Sequence, residues 1–135
     1  MSPRRALLVP LAFIVLLPGC GTSDDRRQAR AAVERFYDAV RHDRGADACA
    51  ELSLEAADQL ESQTGQQCGE VVTRLDYEGG AVVRTQVFAT NAKVDLRSGE
   101  SAFLSRESDG WRLSAIACDA KEKPRDRPFD CEVEG

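Results

Sequence analysis

The chain is 135 residues long and carries 18 Lys and Arg against 23 Asp and Glu, a formal net charge of −5. That length suits one domain with a real core and argues against a second. The acidic balance argues against nucleic acid, and against an anionic membrane surface, as the primary partner, since both are bound through clustered Lys and Arg.

At the N-terminus Arg4 and Arg5 precede an apolar run over residues 6–17, the charged region and hydrophobic stretch of an export signal. The run is 12 residues long and contains Pro10, whereas a membrane-spanning helix needs about 20 apolar residues. No A-x-A-like site for ordinary signal cleavage precedes Cys20. Leu17-Pro18-Gly19-Cys20 resembles a bacterial lipoprotein box, in which an aliphatic residue and two small or tolerated residues precede the cysteine that receives diacylglycerol. The resemblance implies a signal peptide over residues 1–19, lipidation of Cys20, and a membrane anchor on the extracytoplasmic face, with simple secretion as the alternative. Residues 20–25 are then a short polar tether and residues 26–135 a single domain. Arg4 and Arg5 leave with the signal, so the mature chain holds 16 basic against 23 acidic residues, a formal −7.

Ser23 is the expected N-cap of the first helix, with Asp24 and Asp25 in the first turn where the helix dipole favours negative charge. Ala29, Val33, Phe36, Tyr37 and Val40 then form one apolar stripe at helical spacing. A short second helix spans residues 45–52 and carries Ala46, Cys49 and Ala50. Ser53 caps a third, whose apolar edge is Leu54, Ala57 and Leu60 and which stops at Thr64-Gly65. Cys68, Val71, Val72 and Leu75 predict a fourth helix, and Gly79-Gly80 closes the helical half.

From Ala81 the period changes from about 3.6 to 2. Val83, Thr85, Val87 and Ala89 are expected on one face of a first strand, and Ala92, Val94 and Leu96 on one face of a second after a turn at Thr90-Asn91. Residues 101–107 read as a third strand, with Phe103 and Ser105 on one side. A three-residue turn, Ser108-Asp109-Gly110, leads to a fourth with Trp111, Leu113, Ala115 and Ala117 on one face. The expected sheet is an antiparallel meander of about four strands. The tail from residue 119 is charged and proline-rich, but Phe129 and Cys131 predict that it is stapled along the last strand.

With Cys20 assigned to lipid, Cys49, Cys68, Cys118 and Cys131 remain, an even number in an exported chain, where disulfides persist. Four cysteines permit three pairings. Neighbouring pairs, Cys49 with Cys68 and Cys118 with Cys131, are favoured because each keeps its bridge within one structural region. The spacings do not match a zinc site and the single histidine is His42, so neither metal nor cofactor is expected.

Helices first and one curved antiparallel sheet after them is an α+β order. Val33-Glu34-Arg35-Phe36-Tyr37-Asp38-Ala39-Val40 early, and Asp109-Gly110-Trp111-Arg112-Leu113 opening a late strand, resemble the NTF2-like, cone-shaped superfamily. The lipobox, Ala48-Cys49, Cys68 and the ending Pro128-Phe129-Asp130-Cys131-Glu132-Val133-Glu134-Gly135 resemble more narrowly a group of uncharacterised actinobacterial lipoproteins. The superfamily contains isomerases, dehydratases and non-catalytic binders, so it does not choose between them. In its enzymes a cavity between helices and sheet holds Asp, Tyr or His residues with tuned pKa values, for which the candidates are Tyr37, Asp38, His42, Asp76 and Tyr77. Tyr37 is expected to pack helix on sheet, Asp38 to face solvent, and His42 to sit at a helix C-terminus.

No G-x-S-x-G elbow or phosphate-cradling loop is present. No residue is therefore assigned a catalytic role. The expected function is non-enzymatic binding of an envelope protein or a small apolar ligand, with homodimerisation through an open sheet face as a further expectation. The alternative is a small cone-fold isomerase, dehydratase or carrier.

Overall fold

In the computed structural model, which describes residues 22–119 and 129–135, the longest element is α1, Thr22–Arg41. The signal over residues 1–19, the lipobox with Cys20, and the charged tail over 120–128 lie outside the described residues. Ala29, Ala32, Val33, Phe36 and Tyr37 form the buried stripe of α1, and Asp24 and Asp25 at its start and Arg41 at its end oppose the helix dipole. The helix begins before Ser23, so the residues from Thr22 to Asp25, expected as tether and cap, already belong to its first turn.

Helix α2, Gly45–Glu51, carries Ala46, Cys49 and Ala50 as expected and buries Ala48. A Cβ on Gly45 would fall 1.8 Å from the carbonyl oxygen of Gly69, so the missing side chain lets α2 meet the next helical turn backbone to backbone. That turn is α4, Cys68–Val71, and the Cys49–Cys68 disulfide joins the pair. The fourth helix is shorter than expected. It tightens into a 3-10 turn at Val72–Arg74, and Leu75 is already extended as the chain heads for the sheet.

Helix α3, Leu54–Thr64, starts and stops as the sequence predicts. Ser53 Oγ accepts the N–H of Ala56 at 3.1 Å, while the Ser53 N–H donates to the Leu113 carbonyl at 2.8 Å. The cap thus also stitches α3 to the sheet. With that orientation set, Ala56 and Leu60 point inward and Leu54, on the opposite side of the turn, is 74% exposed rather than on the apolar edge. Gly65, at φ 67°, ends the helix.

The sheet contains five strands where about four were expected. They are β1 Val82–Phe88, β2 Asn91–Leu96, β3 Ser101–Glu107, β4 Gly110–Asp119 and β5 Asp130–Glu134, antiparallel and in sequence order. The fifth comes from the tail, where Cys131 faces Cys118 in register and is bridged to it. Val133 of β5 enters the core. The turns are two-residue loops, Ala89-Thr90 between Phe88 and Asn91, and Ser108-Asp109 between Glu107 and Gly110.

Ala92, Val94 and Leu96 point inward as alternation predicts. Two strands depart from the expected faces because of bulges, which shift side-chain phase by one residue. In β1 the register slips between Val82 and Arg84, so Val82 packs on the core and Val83 is 57% exposed. In β4 Leu104 pairs with Leu113 but Phe103 with Ala115, leaving Ser114 as the extra residue. Trp111 and Leu113 face the core as expected. Beyond Ser114, Ile116 takes the core position, while Ala115 turns outward beside Phe103 and Ala117 lies outside the core cluster.

The bridges close segments with sequence separations of 19 and 13, each worth on the order of 3 kcal/mol in the chain-entropy model. Replacing Cys49 and Cys68 together by Ala should lower the unfolding free energy in urea by about that amount. The same change at Cys118 and Cys131 should in addition speed amide exchange selectively across residues 130–134.

Candidate functional site

Among the described residues Glu100 is the one buried carboxylate, and it stands where the chain enters β3. Its Oε1 accepts the N–H of Glu78 at 2.9 Å and its Oε2 accepts the N–H of Gly79 at 2.8 Å. The Tyr37 hydroxyl lies 3.5 Å from the same Oε2. Gly79 adopts φ 61°, and a Cβ there would stand 3.1 Å from the Tyr37 ring. The glycine therefore supplies both the left-handed turn and the clearance that bring the loop onto Tyr37.

Tyr37 from α1 and Tyr77 from the loop meet edge to face at 6.0 Å between ring centroids, and Phe36 stands edge-on to both. Burial pushes the Tyr37 phenol pKa up, and the nearby Glu100 charge adds to the rise. Burial does the same to Tyr77, with Tyr37, Glu132 and Glu100 contributing. The Tyr77 hydroxyl is buried with no hydrogen-bond partner among the described residues. Both phenols stay neutral across the physiological range. Glu100 has both oxygens held by backbone amides, which secure the loop. Chemically this is a structural staple with two neutral phenols around it.

The structure brings Tyr37 and Tyr77 together and leaves Asp38, His42 and Asp76 outside. Asp38 is half-buried on the far side of α1, ion-paired with Arg44 and with Arg41 at 3.3 Å. His42 follows the last turn of α1, exposed, with Nδ1 2.8 Å from the Asp38 carbonyl oxygen. Asp76 is exposed and lines a shallow cavity of about 150 Å³ together with Glu78, Glu100, Asp119 and Glu132. Sequence reading missed Glu100, which falls just before the third strand it predicts over residues 101–107. Its partners are amides 21 and 22 residues upstream, and no local pattern announces such a contact.

Two further features lie on the surface. Between α1 and β1 a groove about 330 Å³ in volume is floored by Val33 and Val82 and flanked by Arg30 and Arg41. It continues into a depression of about 400 Å³ walled by Arg26, Arg27, Arg30 and Arg84. On the outer face of the sheet, Phe103, Ala115 and Phe129 line an apolar cavity of about 310 Å³. There the Phe103 and Phe129 rings stand 5.0 Å apart, with the Lys93 ammonium 5.2 Å from the Phe129 ring. Among the described residues no group of three or more His, Cys, Asp or Glu is placed to hold a metal ion, and no helix is long and apolar enough to cross a membrane. No family model, curated protein or solved structure matches the chain.

Tyr37 and Tyr77 are the chain's two tyrosines, so phenolate absorbance reports this cluster alone. Because both bind their protons more tightly folded than unfolded, stability is full below the ordinary phenol pKa of about 10 and is lost as pH rises above it. Neither should ionise in the folded protein at that pH, and the denaturation midpoint should fall with further alkalinisation. Glu100→Gln, which turns an N–H donor toward the two amides, should cost about 1–3 kcal/mol in the same denaturation assay.

Proposed function

We propose that the chain is an extracytoplasmic lipoprotein, exported by residues 1–19 and anchored through diacylglycerol on Cys20. Its NTF2-like domain binds an apolar group, carried by a small ligand or by an envelope protein, without catalysing a reaction. Helices preceding one antiparallel sheet, with the buried stripe of α1 laid against that sheet, support the fold assignment.

The observation that carries the binding reading is where the space and the charge lie. Phe36, Leu60, Leu104, Leu113 and Ile116 fill the interior between helices and sheet, and the buried Glu100 is committed to two amides. A general acid or base must reach a substrate proton with a suitable pKa, and a carboxylate with both oxygens so engaged is poorly placed to do it. The apolar opening at Phe103, Ala115 and Phe129 faces outward instead. Such a cavity accepts a hydrophobic group, while the Lys93 ammonium beside Phe129 is already paired with Asp95 at 2.8 Å and Glu134 shares the lining.

Cys20→Ser should leave uncleaved precursor and abolish labelling by a fatty-acid analogue; normal maturation of that variant defeats the anchor. Phe103→Ala should weaken uptake of an apolar fluorescent probe by about tenfold, the scale of a lost buried side chain, whereas Tyr37→Phe should not. If Tyr37→Phe or Asp38→Asn abolished the cellular phenotype with fold and export intact, the non-catalytic reading fails.

A further inference from the structure

We infer that the α1 and β1 edge of the domain is seated on anionic phospholipid headgroups, with Arg26, Arg27 and Arg84 against the phosphates and Phe88 at headgroup depth. The inference rests on lipidation of Cys20 as proposed above, and it adds an orientation to that anchor.

The first support is covalent reach. Helix α1 starts at Thr22, two residues after Cys20, a span of at most about 7 Å. Arg26 and Arg27 follow within about 8 Å along the helix axis, so they stand at most about 15 Å from Cys20, within about two physiological Debye lengths. Both are exposed, and β1 brings the exposed Arg84 to the same depression. Arg27 pairs with Asp24 and Arg30 with Glu34; Arg26 forms no salt bridge among the described residues, and Arg84 stands across the ladder from Asp95, whose carboxyl, against the pull of burial, its charge helps hold below the usual range.

A second support is independent of charge. Three large apolar side chains are exposed among the described residues, and two of them, Val83 and Phe88, lie on β1. Phe88 adjoins the Ala89-Thr90 turn, and the Thr90 carbonyl accepts the N–H of Arg106, whose guanidinium pairs with Asp25 in the first turn of α1. That chain of contacts places Phe88 at the end of the domain where α1 begins. An exposed aromatic at the same end of the domain as Arg26 and Arg27 can sit among headgroups while the cations meet phosphate.

The overall negative charge opposes this arrangement only if it is spread evenly, and it is not. At the end where α1 begins, Asp24, Asp25 and Asp109 are each paired with an arginine, Arg27, Arg106 and Arg112 in turn, whereas Glu78, Glu100, Asp119 and Glu132 gather around the cavity near the β2–β3 turn at the opposite end of the sheet. In a negative surface potential such a molecule turns its charge-balanced end toward the bilayer and its acidic end away.

The test uses the lipidated chain purified from membranes and reconstituted into phosphatidylcholine vesicles with and without phosphatidylglycerol. In the Phe88→Trp variant the new indole reports depth through quenching by brominated lipid, and buried Trp111 supplies a background measured on the unsubstituted chain. Quenching should be strong with phosphatidylglycerol and weak without it, and high salt should remove it. Adding Arg26→Gln and Arg84→Gln should lower the docked-to-undocked ratio about 25-fold, roughly fivefold for each arginine, with the circular dichroism unchanged. Equal quenching in both vesicles, or quenching indifferent to the arginine changes, overturns the orientation and leaves the anchor standing. A purified chain with no diacylglycerol on Cys20 overturns the anchor and this inference together.

Discussion

The connection from the last helical turn to β1 must cross from one layer of the domain to the other, and its amides at Glu78 and Gly79 need acceptors when they are taken out of water. Glu100 supplies both from the start of β3, and Tyr37 approaches the same carboxylate from α1. One side chain therefore ties helix, loop and strand at a single point. Hydrogen bonds to a charged acceptor are worth about 1.5–3 kcal/mol each, several times a surface ion pair such as Arg30–Glu34. The aromatic cluster of Phe36, Tyr37 and Tyr77 packs edge to face beside this point.

What could be read from the sequence divides along the line between local and distant causes. The α1 stripe, the Ser53 cap, the Gly65 stop and the inward face of β2 follow from neighbours within a few residues, and the structure agrees with them. The disulfide pairing was legible because each partner lies close in sequence. The faces of Val83, Ala115 and Ala117 were not, since a bulge arises from the fit between two strands and leaves no mark on the alternation of either one. Leu54 was misplaced for a related reason: the Ser53 cap and its tie to Leu113 set the rotation of α3. Burial of Glu100 depends on amides that are distant in sequence, and the same residue in an open turn would be an ordinary solvated glutamate.

Net charge gave a correct count and a misleading distribution. Arg26, Arg27 and Arg84 share one depression while Glu78, Glu100, Asp119 and Glu132 surround a cavity near the β2–β3 turn, a placement that a net charge of −5 does not show. Periodicity likewise finds the apolar stripe of α1 without showing that the basic residues beside it share a wall with Arg84. The candidate surfaces thus emerge from topology, through which β1 comes to lie alongside α1.

The position of the Cys118–Cys131 bridge bears on how copies of this chain can meet. Both cysteines occupy one rung of the β4–β5 ladder, so β5 is covalently held at the sheet margin it forms. Exchange of that strand with a second molecule would require reduction first, which closes the lowest-cost route to a strand-swapped dimer in an oxidising compartment. The opposite margin, β1, has no such lock. Its bulge at Val83 and the charge of Arg84 are the devices by which an uncovered strand resists edge-to-edge growth.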